Sequence, residues 1–157
     1  MSLLVRVMVV GAVAMCAGGV WVSSGSAASR CQVSTTTPLA ARPSFNVGTL
    51  RLAVSLPNHA TFVAVPEGRP GGAWVMPDGS IRTKVGWLSR KGTPRVSGRR
   101  LDRPARPLDA DVGMESFVLG SGPFYPSRLV FPTVGCWQIS ARNSEARLTV
   151  VVRVVKR

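Results

Sequence analysis

Gly135-Cys136-Trp137-Gln138-Ile139-Ser140-Ala141-Arg142 is followed, after Asn143-Ser144-Glu145, by Ala146-Arg147-Leu148-Thr149-Val150-Val151-Val152-Arg153-Val154-Val155. Both runs alternate between two kinds of side chain. In a strand, successive side chains point to opposite faces. Ala146, Leu148, Val150, Val152 and Val154 therefore share one face, and Arg147, Thr149, Val151 and Arg153 the other. The partner run sets Trp137, Ile139 and Ala141 against Cys136, Gln138, Ser140 and Arg142. With Asn143-Ser144 as the turn, the stretch reads as a β-hairpin with one apolar face committed to a core. Cys136 then falls on the outer face, near the start of its strand.

The same kind of run recurs upstream. Thr49–Ser55, Ala60–Val65, Ala73–Met76, Ser80–Leu88, Arg95–Leu101, Ser116–Leu119 and Arg128–Phe131 read as further strands. Pro57, Pro66 to Gly72, Pro104 to Pro107, Gly120 to Pro126 and Pro132 read as breakers between them. Asp78-Gly79 is the best hairpin turn, because both residues tolerate positive φ. No amphipathic helix and no internal repeat is visible. Short strands at close spacing imply an all-β domain, either a sandwich or a small barrel. An antibody-type domain separates its tryptophan from two core cysteines, whereas here Cys136 and Trp137 are adjacent.

The N-terminus reads as an export signal. Arg6 precedes Val7–Val22, a run of 16 apolar or small residues. That run is long enough for a signal core and short for a spanning helix of about 20. Ser23 to Ala28 are small and suit cleavage after Ala27 or Ala28. An uncleaved anchor and lipidation of Cys16 are the alternatives; Met15 is too large for the position before a lipidated cysteine. We therefore divide the chain into a signal peptide (1–28), an N-terminal arm (29–47) and a β domain (48–157). Cys31 and Cys136 remain after cleavage. An even pair in an oxidising compartment usually bonds. The bridge would close about 100 residues and remove about 4–5 kcal/mol of unfolded-state entropy. The rival reading is a buried free Cys136 and an exposed Cys31.

The second half resembles a family of uncharacterised secreted bacterial proteins and lipoproteins. The resemblance rests on Met76-Pro77-Asp78-Gly79-Ser80, on Lys84 with Trp87, and on Gly98-Arg99-Arg100-Leu101-Asp102. It continues through Pro107-Leu108 and Phe131-Pro132-Thr133-Val134-Gly135-Cys136-Trp137 to Leu148-Thr149-Val150-Val151. It covers about residues 60–155. It implies an immunoglobulin-like antiparallel β-sandwich behind an export signal, and no particular chemistry. The segment after Asp109 departs from the family's Gly/Tyr-rich loop and carries Met114-Glu115 instead.

Charge and chemistry narrow the function. Twenty Lys and Arg stand against seven Asp and Glu, for a net charge of +13. Residues 82–106 hold nine cations against Asp102 alone. Arg82, Lys84, Arg99, Arg100 and Arg103 are the candidate anion-binding residues, with Trp87 able to stack on a sugar or base or to fill the core. The parity of Trp87 with Ile81, Thr83 and Val85 favours the core. The opposing reading is compositional: arginines outnumber lysines 17 to 3 in an Ala-, Gly-, Val- and Pro-rich chain, as a GC-rich genome would produce. His59 is the only imidazole and follows Pro57-Asn58, so neither a serine triad nor a metal set is in view. Asp102, Asp109, Asp111 and Glu115 lie beside arginines and read as ion-paired or solvated. No cofactor is called for.

The expected function is a non-enzymatic binding or structural module, exported to the periplasm, envelope or medium. Its partner would be an anionic envelope polymer or lipid headgroups. Export argues against nucleic acid, and membrane attachment requires a retained N-terminus or a lipid on Cys16. The alternative is a small secreted enzyme or enzyme inhibitor that presents Phe124 and Tyr125 from the Gly120–Pro126 loop. Those aromatics equally suit a turn that covers one end of the domain.

Overall fold

The computed structural model describes residues 31–118 and 122–157. The segment read as a signal peptide, Cys16 within it, and part of the Gly120–Pro126 segment lie outside the described residues. The protein is all-β. In chain order the strands are β1 (Val47–Gly48), β2 (Leu52–Ser55), β3 (Thr61–Pro66), β4 (Ala73–Val75), β5 (Ile81–Ser89), β6 (Arg95–Arg100), β7 (Asp109–Val112), β8 (Ser116–Val118), β9 (Gly122–Phe131), β10 (Gly135–Arg142) and β11 (Arg147–Lys156). Among the described residues a single 3₁₀ turn, Asn58–Ala60, interrupts them.

The eleven strands of the described residues join one open sheet, eight of them in the order β1-β2-β5-β4-β3-β11-β10-β6, with β7, β8 and β9 branching from it. Strand β5 is the branch point. One edge pairs with β9 from Ile81↔Phe131 to Leu88↔Phe124. The other edge takes β4 at Ile81–Thr83 and β2 at Gly86–Ser89. Strands β7 and β8 then pair with β9. The sheet is mixed rather than wholly antiparallel, because β3 runs parallel to both β11 and β4.

The alternation of the final hairpin appears directly as burial. Trp137, Ile139, Ala141, Val150, Val152 and Val154 are all buried in the main core. Arg142 and Arg147 are exposed and face each other across the turn. Asn143 holds that turn by accepting the backbone N–H groups of Glu145 and Ala146 at 2.9 and 2.7 Å. The Asp78-Gly79 turn forms as read: Gly79 takes φ +81°, and the Asp78 carboxylate accepts both the backbone N–H and the hydroxyl of Ser80. Trp87 is buried with Ile81, Thr83 and Val85 and donates to Ser127 Oγ at 2.9 Å.

Strands that share no ladder also meet. Phe131 of β9 packs edge-on against Trp137 of β10, with centroids 5.4 Å apart, and against Phe62 of β3 at 5.8 Å. The sheet therefore curls, and side chains from both arms fill one core. At the β6 edge, Leu108 N–H donates to the Gly98 carbonyl. Gly98 has no side chain because Leu108 occupies that space: a Cβ there would lie 2.8 Å from Leu108 Cδ2.

Two segments differ from the sequence expectation. The sequence reads Gly120–Pro126 as a breaker, yet β9 runs from Gly122 through Pro123 and Pro126. The Pro126 carbonyl accepts from Gly113 N–H, so that residue's backbone groups point away from β5 and the β5 ladder loses no donor. Pro123 lies beyond Phe124, the last β9 residue paired with β5. Asp109–Val112, which is not among the expected strands, is an added strand on β9. The arm, clipped by its cysteine, is built into the fold. Ser34 N–H donates to the Val151 carbonyl, and Phe45 joins Ala53 and Leu88 in a second small core on the reverse of the sheet. Gly86 leaves room there for the Phe124 ring.

These faces predict unequal mutational costs. Trp137→Ala should cost about 3–5 kcal/mol in urea unfolding, whereas Thr149→Ala on the outer face should stay within about 0.5 kcal/mol. Comparable costs at the two positions would contradict the assigned parity.

Candidate functional site: two basic faces of the sheet

The Cys31–Cys136 disulfide is present, with the Cα atoms 5.5 Å apart across 105 residues of sequence. Cys136 is on the face of β10 opposite Trp137, so the bridge fastens the arm onto the outside of the sheet. Arg153 of β11 donates to the Cys31 carbonyl at 3.5 Å beside it. Cys136 is covered by this clip and is buried.

The five sequence-selected cations do not form one cluster. Arg82 and Lys84 share the outer face of β5, reverse to Thr83 and Val85. Register places Trp74 beside Arg82 and Arg128 beside Lys84. A shallow depression of about 410 Å³ lies between them, with Glu67 on its rim. This face is close to charge balance: Arg82 pairs with Glu67 at 2.9 Å and Arg128 with Asp111 at 3.7 Å.

Arg99 and Arg100 stand on β6, which has no ladder with β5. Arg99 faces outward and donates to Gln138 Oε1 at 2.8 Å. Arg100 faces inward, and its side chain is only 3% exposed. It gives a bidentate pair of hydrogen bonds to Asp102 and a third to Thr133 Oγ1 at 2.7 Å. The guanidinium lies over Gly135, where a Cβ would collide with it. Arg100 thus closes the end of the core and is spent structurally. Arg103 is exposed in the turn after β6.

A different set of arginines is brought together by register. Arg142 of β10 is the direct partner of Arg147 on β11 and of Arg95 on β6. A two-residue Asn143-Ser144 turn would oppose Arg142 to Glu145; the structure leaves residues 143–146 between the paired positions and so opposes it to Arg147. The third member depends on the β6–β10 pairing, for which no local signal exists.

The other residues weighed for chemistry have structural surroundings. His59 is exposed in the 3₁₀ turn at φ 55°. Tyr125 is buried in β9 and donates to Glu115 at 2.8 Å, so it is not a presented recognition tip. Burial, reinforced by the Glu115 carboxylate, pushes the Tyr125 phenol above its ordinary value. Among the described residues, no three His, Cys, Asp or Glu side chains gather as a metal set. No protein-family model matches the chain, and no curated protein matches it.

The Arg100 hydrogen bonds hold the Asp102 carboxyl below the usual carboxylate range. A depressed native value stabilises the fold above the unfolded value of about 3.9, and that contribution disappears as pH falls through the native value. Asp102→Asn should lower the thermal midpoint at neutral pH and flatten the acid limb of the stability curve. Superimposable acid limbs for the two proteins would remove Asp102 from this role.

Proposed function

We propose that this protein is an exported, non-enzymatic module of the cell envelope, an immunoglobulin-like sandwich that binds an anionic envelope component. The observation that carries the reading is the disulfide. It joins the two cysteines left after the N-terminal signal segment, and such bonds persist in oxidising compartments. The curled sheet, with β3 parallel to β11 and aromatic contacts between its arms, favours the sandwich over a barrel. The resemblance to secreted bacterial proteins agrees with export. The excess of arginine on outward strand positions supports an anionic partner, because a cationic surface concentrates polyanions by long-range attraction.

The intact mass of protein recovered from its native host tests export and oxidation together. It should begin at residue 28 or 29, be two hydrogens light, and take up alkylating agent only after reduction. Retention of residues 1–27, a lipid on Cys16, or two free thiols would overturn the free, oxidised form. The same material should be retained on envelope preparations at low salt and released as salt rises; failure to be retained would remove the binding role.

A further inference from the structure

Arg95, Arg142 and Arg147 form a row across β6, β10 and β11. Directly opposed residues in antiparallel pairs share a face, and neighbouring strands lie about 4.8 Å apart. Three guanidinium groups are thus presented side by side over about 10 Å. Like charges placed opposite each other destabilise a sheet. Among the described residues, none of the three side chains has a hydrogen-bond or ion-pair partner.

The next rank on the same face is Ser97, Ser140 and Thr149, three hydroxyls in register. Beyond it stands Arg99 on Gln138. No Asp or Glu occurs anywhere on these three strands. The nearest carboxylate in sequence, Glu145 in the hairpin turn, faces Lys91 at 3.8 Å. The arginine and hydroxyl ranks line a shallow open depression of about 360 Å³. An adjoining one continues from Arg95 and Arg142 to Lys91. The end is held rigidly: Asn143 Nδ2 donates to the Arg51 carbonyl at 3.1 Å and to Ser89 Oγ at 2.9 Å, tying the hairpin turn to the far arm of the sheet.

We propose that this face binds an extended phosphodiester polymer, with Arg95, Arg142 and Arg147 on successive phosphates and Ser97, Ser140 and Thr149 donating to phosphate oxygens. The guanidinium fork matches a phosphate bidentately, and hydroxyl donors serve its remaining lone pairs. An open depression suits a chain passing over it better than an enclosed small molecule. Exposed ion pairs are individually weak, so useful affinity needs several charges engaged along one ligand. The proposal rests on the anionic-ligand reading above and moves its site from Arg82, Lys84, Arg99, Arg100 and Arg103 to Arg95, Arg142 and Arg147.

The test is titration of the mature oxidised protein with labelled soluble poly(glycerol phosphate) over a salt series. Arg95→Ser, Arg142→Ser and Arg147→Ser are combined in one variant. Arg82→Ser, Lys84→Ser and Arg128→Ser are combined in a control of equal net charge. The first variant should bind at least about tenfold more weakly at low salt, and its log–log salt slope should fall by about 2, as expected for three lost phosphate contacts on a single strand. Its thermal midpoint should be unchanged or higher, since repulsion is relieved. The control should lose less than about threefold. Equal losses in both variants, or none in the first, would overturn the site. Equal affinity for polyglutamate would overturn the phosphate assignment, and preference for phosphatidylglycerol vesicles over the soluble polymer would overturn the polymer. Wild-type retention on envelope material together with an inert triple substitution would sink this site alone. A wild-type protein that binds neither polymer nor envelope would sink the broader reading with it.

Discussion

The contact between Phe131 and Trp137 is the interaction on which the rest of the structure depends. It joins strands β9 and β10, which share no hydrogen bonds, and so turns a flat ladder into a closed core. Burying Trp137 commits the parity of β10, and the ladders with β6 and β11 pass that parity sideways. Once Trp137, Ile139 and Ala141 point inward, Gln138, Ser140 and Arg142 must point outward. The arginine row is therefore the reverse side of the hydrophobic core. A one-residue slip of register would bury arginines and expose valines together, so the core enforces the face.

Parity explains what was legible in the sequence. The last hairpin, the Asp78-Gly79 turn and the inward Trp87 are local patterns, and each survives in the structure. Pairings between distant segments leave no such trace. Nothing near Arg95 says that β6 will lie beside β10, and nothing near Thr61 says that β3 will run parallel to β11. The two prolines of β9 misled for a definite reason. A proline breaks a ladder only where its missing N–H is needed, and that depends on which neighbour each edge meets. The arm's residues are mostly polar and turn-rich, so no strand pattern announces where it docks. Among its described residues Phe45 is the large buried anchor, and it finds its partners in Ala53 and Leu88.

The candidate site was harder to read because linear charge density is not spatial density. The reversal between β5 and β6 carries Arg82 and Lys84 to one face and Arg99 to another. Strand alternation then turns Arg100 inward, where Asp102 and Thr133 hold it. A run of nine cations is in this way dispersed, while three arginines separated by up to 52 residues of sequence are assembled.

A genome that favours arginine accounts for how many arginines the protein has, and that reading is compatible with the 17 to 3 ratio over lysine. It does not account for where they stand. Random placement of cations on outward positions would meet some of the carboxylates, as happens on the β5 face with Glu67 and Asp111. On β6, β10 and β11 the carboxylates are missing altogether, and the outward positions next to the arginines are hydroxyls. Any Ser or Thr in place of Arg142 would relieve repulsion on both sides without disturbing the core behind it. Three adjacent positions that carry the less stable choice, on an end tied down by Asn143, support the proposed binding role, since sites that must attract a charged ligand are less stable while they are empty.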